Sequence, residues 1–261
     1  MTKLSGMLLS AVLAVGALLV GPVPAFAAAY QLKIPVLIYH HVTDKTNKPT
    51  GVPNTQIWIS PDKFRAQLTE LKNRGWKAIT TDQLANAMKN RTCPGQRRFV
   101  ITIDDSSAFG YTNAAPIVEN LGWRATYFVV VGLAGKSQAL SFNQMRDLVS
   151  RGHGIGNHTM AHIDLVGRSQ RSLYHQVEYA QRVLDDELGF RPRTFAYPNA
   201  THDKNARRRA RDSGFELAFT AGPGFTISSR RPLRAPRLFV SKRHSPTEVA
   251  NKIEPYANPC P

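Results

Sequence analysis

The stretch Arg97 to Asp105 constrains the fold of this chain more than any other: Arg97-Arg98, then Phe99-Val100-Ile101-Thr102-Ile103, then Asp104-Asp105. An apolar, β-branched run with no polar alternation reads as a strand buried on both faces. Neighbouring side chains on a strand point to opposite sides, so two consecutive aspartates can share one pocket only where the strand ends and turns. Folds that alternate strands and helices place their chemistry at such strand ends. A solitary Asp-Asp would be read as a turn or a helix cap. A second cluster further along the chain changes that reading.

The elements around this strand alternate. Residues 33–39 read as a first core strand running into His40-His41, and a polar loop with Pro49, Gly51 and Pro53 follows. Ser60-Pro61-Asp62 has the cap and first-turn chemistry of a helix, with Phe64, Leu68 and Leu71 at helical spacing up to Gly75. A short strand over 76–80 leads to a helix capped by Thr81. Beyond the Asp-Asp strand come a helix over 113–120, a strand over 125–131, a helix from Ser141 through Val149, and a glycine-rich strand over 152–156. A long helix over 173–188 ends at Gly189. A strand at 194–198, a basic helix over 203–212, strands over 215–220 and 233–240, and a helix opening at Ser245-Pro246 complete the chain. Strand, helix, strand implies parallel pairing with right-handed crossovers. No glycine-rich phosphate loop follows the first strand, so an α/β barrel fits better than an open doubly wound sheet.

The first residues carry a different message. Met1-Thr2-Lys3, an apolar run from Met7 to Val20, and Ala25-Phe26-Ala27 have the layout of a secretory signal cut after Ala27. The expected organisation is therefore a signal peptide over 1–27 and one domain over 28–261, secreted or periplasmic. Lys and Arg exceed Asp and Glu by 16, a field that attracts polyanions. The basic residues are scattered as Arg97-Arg98, Arg191 and Arg193, Arg207-Arg208-Arg209, Arg230-Arg231 and Lys242-Arg243. No aromatic-interleaved strip accompanies them, so a solvated surface attracting anionic envelope polymers is expected rather than a specific nucleic-acid site. Export would permit a disulfide between Cys93 and Cys260, and two free thiols are the alternative. A monomer is expected.

Asn157-His158-Thr159-Met160-Ala161-His162 follows the glycine-rich strand. Two histidines four apart fall on one face of a helical turn and can hold one cation. With Asp105 they make a His-His-Asp set with open positions, which suits zinc or a neighbouring divalent ion in a hydrolytic site.

Here the chain resembles the polysaccharide deacetylases of carbohydrate esterase family 4, the NodB homology domain. Thr102-Ile103-Asp104-Asp105 is similar to the family's Thr-Phe-Asp-Asp-Gly motif, and His158 to His162 to its His-Ser/Thr-x-x-His motif. Phe195-Ala196-Tyr197-Pro198-Asn199 resembles a variant of the third motif. The segment 36–42 is similar to the first strand of members acting on poly-N-acetylglucosamine. The resemblance implies a distorted (β/α) barrel, Asp104 as general base, and Asp105, His158 and His162 as ligands of one divalent metal, with zinc the first expectation. It also implies a backbone N–H at Asn199 facing the oxyanion, beside Tyr197. The expected substrate is an N-acetylated polysaccharide containing N-acetylglucosamine, hydrolysed with release of acetate.

Three positions depart from the pattern. Ser106 stands where the family has Gly, Ala196 where many members have the Arg that orients the base, and Asn199-Ala200 where Tyr-Gly is usual. His40 is the candidate general acid, with a carbonyl-bonded core histidine as the plain alternative; His244 is a weaker one. Arg237 is the candidate substitute for the motif-three Arg. Competing readings are an O-acetyl esterase acting on xylan or another glycan with the same site, and a catalytically silent glycan binder.

Overall fold

The computed structural model describes residues 28–44 and 57–260. The expected leader and the loop around Pro49, Gly51 and Pro53 lie outside the described residues. Strands β1 (Gln31–Lys33), β2 (Val36–Tyr39), β3 (His41–Val42) and β4 (Trp58–Ile59) lead to helix α1 (Pro61–Asn73). Then come β5 (Lys77–Ile79), α2 (Thr81–Asn90), β6 (Arg98–Ile103), α3 (Ala115–Asn120), β7 (Thr126–Val129), α4 (Phe142–Ser150) and β8 (Gly154–Asn157). The second half carries α5 (Gln170–Leu173), α6 (Ala180–Leu188), β9 (Thr194–Ala196), α7 (Lys204–Asp212), β10 (Leu217–Phe219), β11 (Thr226–Ser228), β12 (Leu238–Phe239) and α8 (Pro246–Ile253).

Eight strands form one parallel sheet in the order β10-β9-β8-β7-β6-β2-β12, with β5 also paired to β6. The sheet is buried on both faces. Val36, Val100, Phe128, Ala196 and Phe219 meet in one cluster, while Leu37, Ile101, Tyr127 and Ile155 pack into another beneath the helices. That two-sided burial is why β6 lacks polar alternation. The sheet curls into a distorted barrel, and one segment spans its gap. Ala235 exchanges backbone hydrogen bonds with Ala218 and Thr220 beside β10, and three residues later β12 pairs with β2. Gly156 lets the Phe128 ring lie close against β8, because a Cβ there would collide with it.

The helices begin where side-chain chemistry satisfies their free N–H groups. Ser60, Ser141 and Ser245 cap α1, α4 and α8, and Gln144 and Glu248 close reciprocal capping boxes. Asp203 caps the basic helix α7, and Gly189 ends α6 in the left-handed conformation with φ 72°. Several boundaries differ from the sequence reading. Thr80, not Thr81, caps α2, because Gln83 lies at the right spacing to bond back to it; Thr81 turns inward to the hydroxyls of Thr126 and Thr194. The first strand breaks at Pro35, and its outer part, β1, pairs antiparallel with β11. The helix expected over 173–188 starts at Gln170 and contains a wider π turn at Tyr174–Tyr179. The strand expected over 233–240 is a 3-10 turn at Pro232–Arg234 followed by the barrel-closing segment.

Candidate active site

Asp104 continues the β6 ladder, its N–H donating to the Tyr39 carbonyl at 2.9 Å. The chain then turns: Asp105 has φ 71° and Ser106 φ 59°, two successive left-handed residues. This turn lets the two carboxylates share one cleft despite strand alternation. Ser106 occupies a conformation that favours Gly, and its hydroxyl offsets part of the cost by accepting from Val130 N–H at 2.6 Å.

Asp104 is 3% exposed and meets Arg237, itself 2% exposed, in a two-pronged ion pair of 2.9 and 2.8 Å. Arg237 also donates to the Thr102 hydroxyl at 3.1 Å and lies over the Phe128 ring. It arrives on the segment closing the barrel, and so reaches Asp104 from a different strand than the one that carries Ala196. Orienting the Asp104 carboxylate requires the planar fork of arginine rather than a point charge.

Asp105 points the other way. His158 Nε2 lies 3.4 Å and His162 Nε2 3.2 Å from its Oδ1, and ring centroids of the two histidines are 4.8 Å apart. The pair does not sit on a helical turn as the i, i+4 spacing suggested. It spans a loop in which Thr159 and His162 are left-handed. Asn157 Oδ1 accepts from Thr159 N–H, Gln176 Oε1 from Ala161 N–H, and the Thr159 hydroxyl from His162 N–H. These bonds replace helical ones and aim both rings inward. Neither Asn157 nor Gln176 was singled out from the sequence; Asn157, ending a buried strand just before the motif, was the available signal.

The three donor atoms pass a test of fitness for a cation. His158 Nδ1 is 2.7 Å from the Ala196 carbonyl, which can only accept, so Nδ1 carries the proton and Nε2 turns its lone pair toward Asp105. Asp105 Oδ1 is buried and makes no hydrogen bond among the described residues. A lone pair facing a carboxylate oxygen calls for a positive centre between them. Two imidazoles and one carboxylate, with ligand atoms all within 4.8 Å of one another, form that donor set. Burial pushes the Asp105 pKa up, but the two imidazoles outweigh it and hold the carboxyl well below its usual range. Burial likewise opposes protonation of His162, whose pKa the Asp105 contact raises nonetheless.

A cleft of about 400 Å³ opens over these groups, bounded by His40, Asn199, Ala200 and Phe239 as well. His40 stands at the end of β2 with its ring against Phe239, and its buried Nδ1 finds no partner among the described residues. The carbonyl-bonded alternative therefore does not hold for Nδ1. Burial lowers the His40 pKa, more than the two aspartates raise it. Asn199 is left-handed at φ 54°, in a 3-10 turn whose first bonds use the N–H groups of Ala200 and Thr201. Its own N–H precedes the first bond of that turn. Tyr197, expected beside the Asn199 N–H, borders the cleft mainly as a packing residue. The residue is 1% exposed, packs on Phe195 and His202, and donates its hydroxyl to the Leu233 carbonyl, because the chain needs it to anchor the 232–234 turn. His244 lies away from the cleft, its Nδ1 accepting from Ser241 N–H.

A parallel barrel with an acid pair at one strand end and two imidazoles at the next-but-one defines a hydrolase-like cleft. Residues 91–218 match the polysaccharide deacetylase family, so the chain carries a polysaccharide deacetylase domain, with a NodB-type fold. It is 26% identical to the Streptococcus pyogenes deacetylase PplD, solved in complex with acetate, with a TM-score of 0.78 over 85% of this chain and 99% of that one. It is 21% identical over 222 residues to YxkH of Bacillus subtilis, a protein named only provisionally as a polysaccharide deacetylase, covering 85% of this chain and 76% of that one. It is 22% identical over 160 residues to the peptidoglycan-N-acetylglucosamine deacetylase PgdA of Listeria monocytogenes, covering 60% of this chain but 32% of PgdA.

Proposed function

We infer that this protein is an exported, metal-dependent deacetylase that removes N-acetyl groups from an N-acetylglucosamine-containing polysaccharide and releases acetate. The observation that carries the reading is the convergence of Asp105, His158 and His162 on one point, with Asp104 held beside them by Arg237. Asp105, His158 and His162 would hold a divalent cation, zinc by the nitrogen and oxygen donor set. When bound, such a cation would polarise an acyl oxygen and lower the pKa of water to about 7.

The chain's own groups supply the rest. Asp104 accepts the proton of the attacking water, and Arg237 fixes its orientation through both carboxylate oxygens. The Asn199 N–H donates to the oxygen that gains charge as the acetyl carbon becomes tetrahedral. His40 protonates the departing amine. Arg237 and the Ser106 hydroxyl make good two of the three departures from the family motifs, which favours an enzyme over a silent binder. The bond between Cys93 and Cys260, closing a span of 167 residues, favours an oxidising compartment and thus a functioning leader at 1–27. The name of PgdA favours the amide over the ester.

The test is metal analysis together with acetate release from chitin oligomers, peptidoglycan and acetylated xylan. His158→Ala and Asp105→Ala are expected to lose both the bound metal and the acetate signal. Full acetate release by metal-free protein would refute the reading.

A further inference from the structure

The arginine runs that look scattered along the chain gather around one cavity of about 580 Å³. Helix α7 contributes Lys204, Arg207, Arg208 and Arg211 to one wall. The turn after β11 contributes Arg230, Arg231 and Arg234 to the other, over a floor that includes Phe215 and Leu233. No acidic residue lines it. Of these cations only Arg211 forms an ion pair among the described residues, with Asp212 at 3.0 Å. Neighbouring arginines are treated differently. Arg209, on the same helix, faces away and pairs with Glu178 at 2.9 Å, and Arg193 pairs with Glu216 at 2.6 Å. Carboxylates are therefore available in this part of the fold, yet among the described residues Asp212 alone pairs with a cation of the cavity.

The backbone of both walls is anchored. Ala206 and Ala210 seat α7 in the core, and the Tyr197 hydroxyl and the Ala235 backbone bonds pin the turn. Like charges held together around a concavity focus a positive potential into it. Guanidinium forks match the paired oxygens of phosphate and carboxylate. A relay of contacts links the cavity to the catalytic cleft. Tyr197, which borders the cleft, packs on His202, and His202 Nδ1 is 2.9 Å from the Arg207 guanidinium.

We propose that this cavity is an anion subsite that binds a phosphate- or carboxylate-bearing stretch of a polysaccharide, holding an anionic polymer beside the deacetylation cleft. The choice of occupant rests on the reading of that cleft as a glycan site. Nucleic acid fits less well, because the one aromatic ring of the cavity, Phe215, is 5% exposed and offers no face for a base to stack on. A lipid surface fits less well too. The exposed large apolar residues among those described, Leu133, Val166, Tyr174 and Tyr179, all lie outside the cavity.

The experiment compares the metal-loaded protein with Arg208→Gln/Arg230→Gln/Arg231→Gln. A control, Lys72→Gln/Lys77→Gln/Lys252→Gln, removes the same charge from exposed positions elsewhere. Binding is read with fluorescent oligomers: alternating N-acetylglucosamine and glucuronate, phosphorylated N-acetylglucosamine, neutral N-acetylglucosamine, and oligothymidylate of equal charge. The arginine variant is expected to bind at least one anionic glycan about tenfold more weakly at about 0.1 M salt, with the neutral oligomer and the control variant unchanged within about twofold. Whichever anionic glycan loses more identifies the source of the anion. Equal weakening in the control would overturn the proposal, since the whole-protein field would then suffice. So would oligothymidylate binding as tightly as the anionic glycans, or anionic glycans binding no better than the neutral one. Failure of the deacetylase reading shows separately, as no acetate from any glycan while the binding difference persists.

Discussion

Replacing Arg237 with Met separates the structural from the chemical role of its ion pair. Methionine keeps much of the packing against Phe128 and Phe219 but removes both prongs of the 2.9 and 2.8 Å pair. Asp104, 3% exposed, is then a buried carboxylate without its counter-charge. Breaking such a pair from one side costs about 3–5 kcal/mol, more than any surface bridge in this protein could. For a chain of this size each kcal/mol moves Tm by about 2–4 °C, so Arg237→Met is expected to melt about 10 °C lower. Adding Asp104→Asn removes the stranded charge and should bring stability back to within about 2 kcal/mol of the parent. Turnover should follow a different course. It falls on the order of 10²-fold in Arg237→Met, through misplacement of the base, and does not recover in the double variant. Urea denaturation and acetate release on the four proteins complete the cycle. An Arg237→Met variant within about 1 kcal/mol of the parent, or a double variant no more stable than the single one, would refute the reasoning.

Three further outcomes are expected. His40→Ala should lower turnover by about 10²–10⁴ while the metal stays bound, and unchanged turnover would return His40 to the core. Replacing Cys93 and Cys260 with Ser releases a span of 167 residues, for which chain entropy sets a stability loss of up to about 5 kcal/mol in urea; a loss below about 1 kcal/mol would show the unfolded chain to be little constrained. His153 accepts from Ala125 N–H at Nδ1 and meets Glu119 at 2.8 Å through Nε2, and burial lowers its pKa below 6.5 despite that carboxylate. Between the native value and 6.5 the unfolded chain holds a proton that the folded one lacks, so stability falls as pH drops through this window and is flat above it. His153→Gln should therefore lose less stability than the parent between about pH 7.5 and about pH 5, and equal losses in urea midpoint would exclude His153 as the cause.

What the sequence made legible, and what it hid, follows from the range of the interactions involved. The two-sided burial of β6 is written in Phe99 to Ile103, and the starts of α1, α4 and α8 in Ser60, Ser141 and Ser245, because both depend on neighbours within one turn or one strand. Thr80 and Thr81 look equivalent as caps from the chain alone; which one turns inward is decided by Thr126 and Thr194, far off in sequence. The spacing of His158 and His162 correctly places them together, yet for a reason other than the helix it suggests. Asn157 and Gln176 hold an irregular loop that brings both imidazoles to Asp105. Arg237 could be proposed as the partner of Asp104 only because the motif lacked its arginine; the geometry comes from the way one segment leaves β10 and joins β2. The charge pattern was the hardest to read. Lys204 to Arg211 and Arg230 to Arg234 are separated by β10 and β11, and each alone resembles a solvated basic surface. Only when the turn at Pro232–Arg234 folds back over α7 do they enclose a common volume, turning a property of composition into one of position.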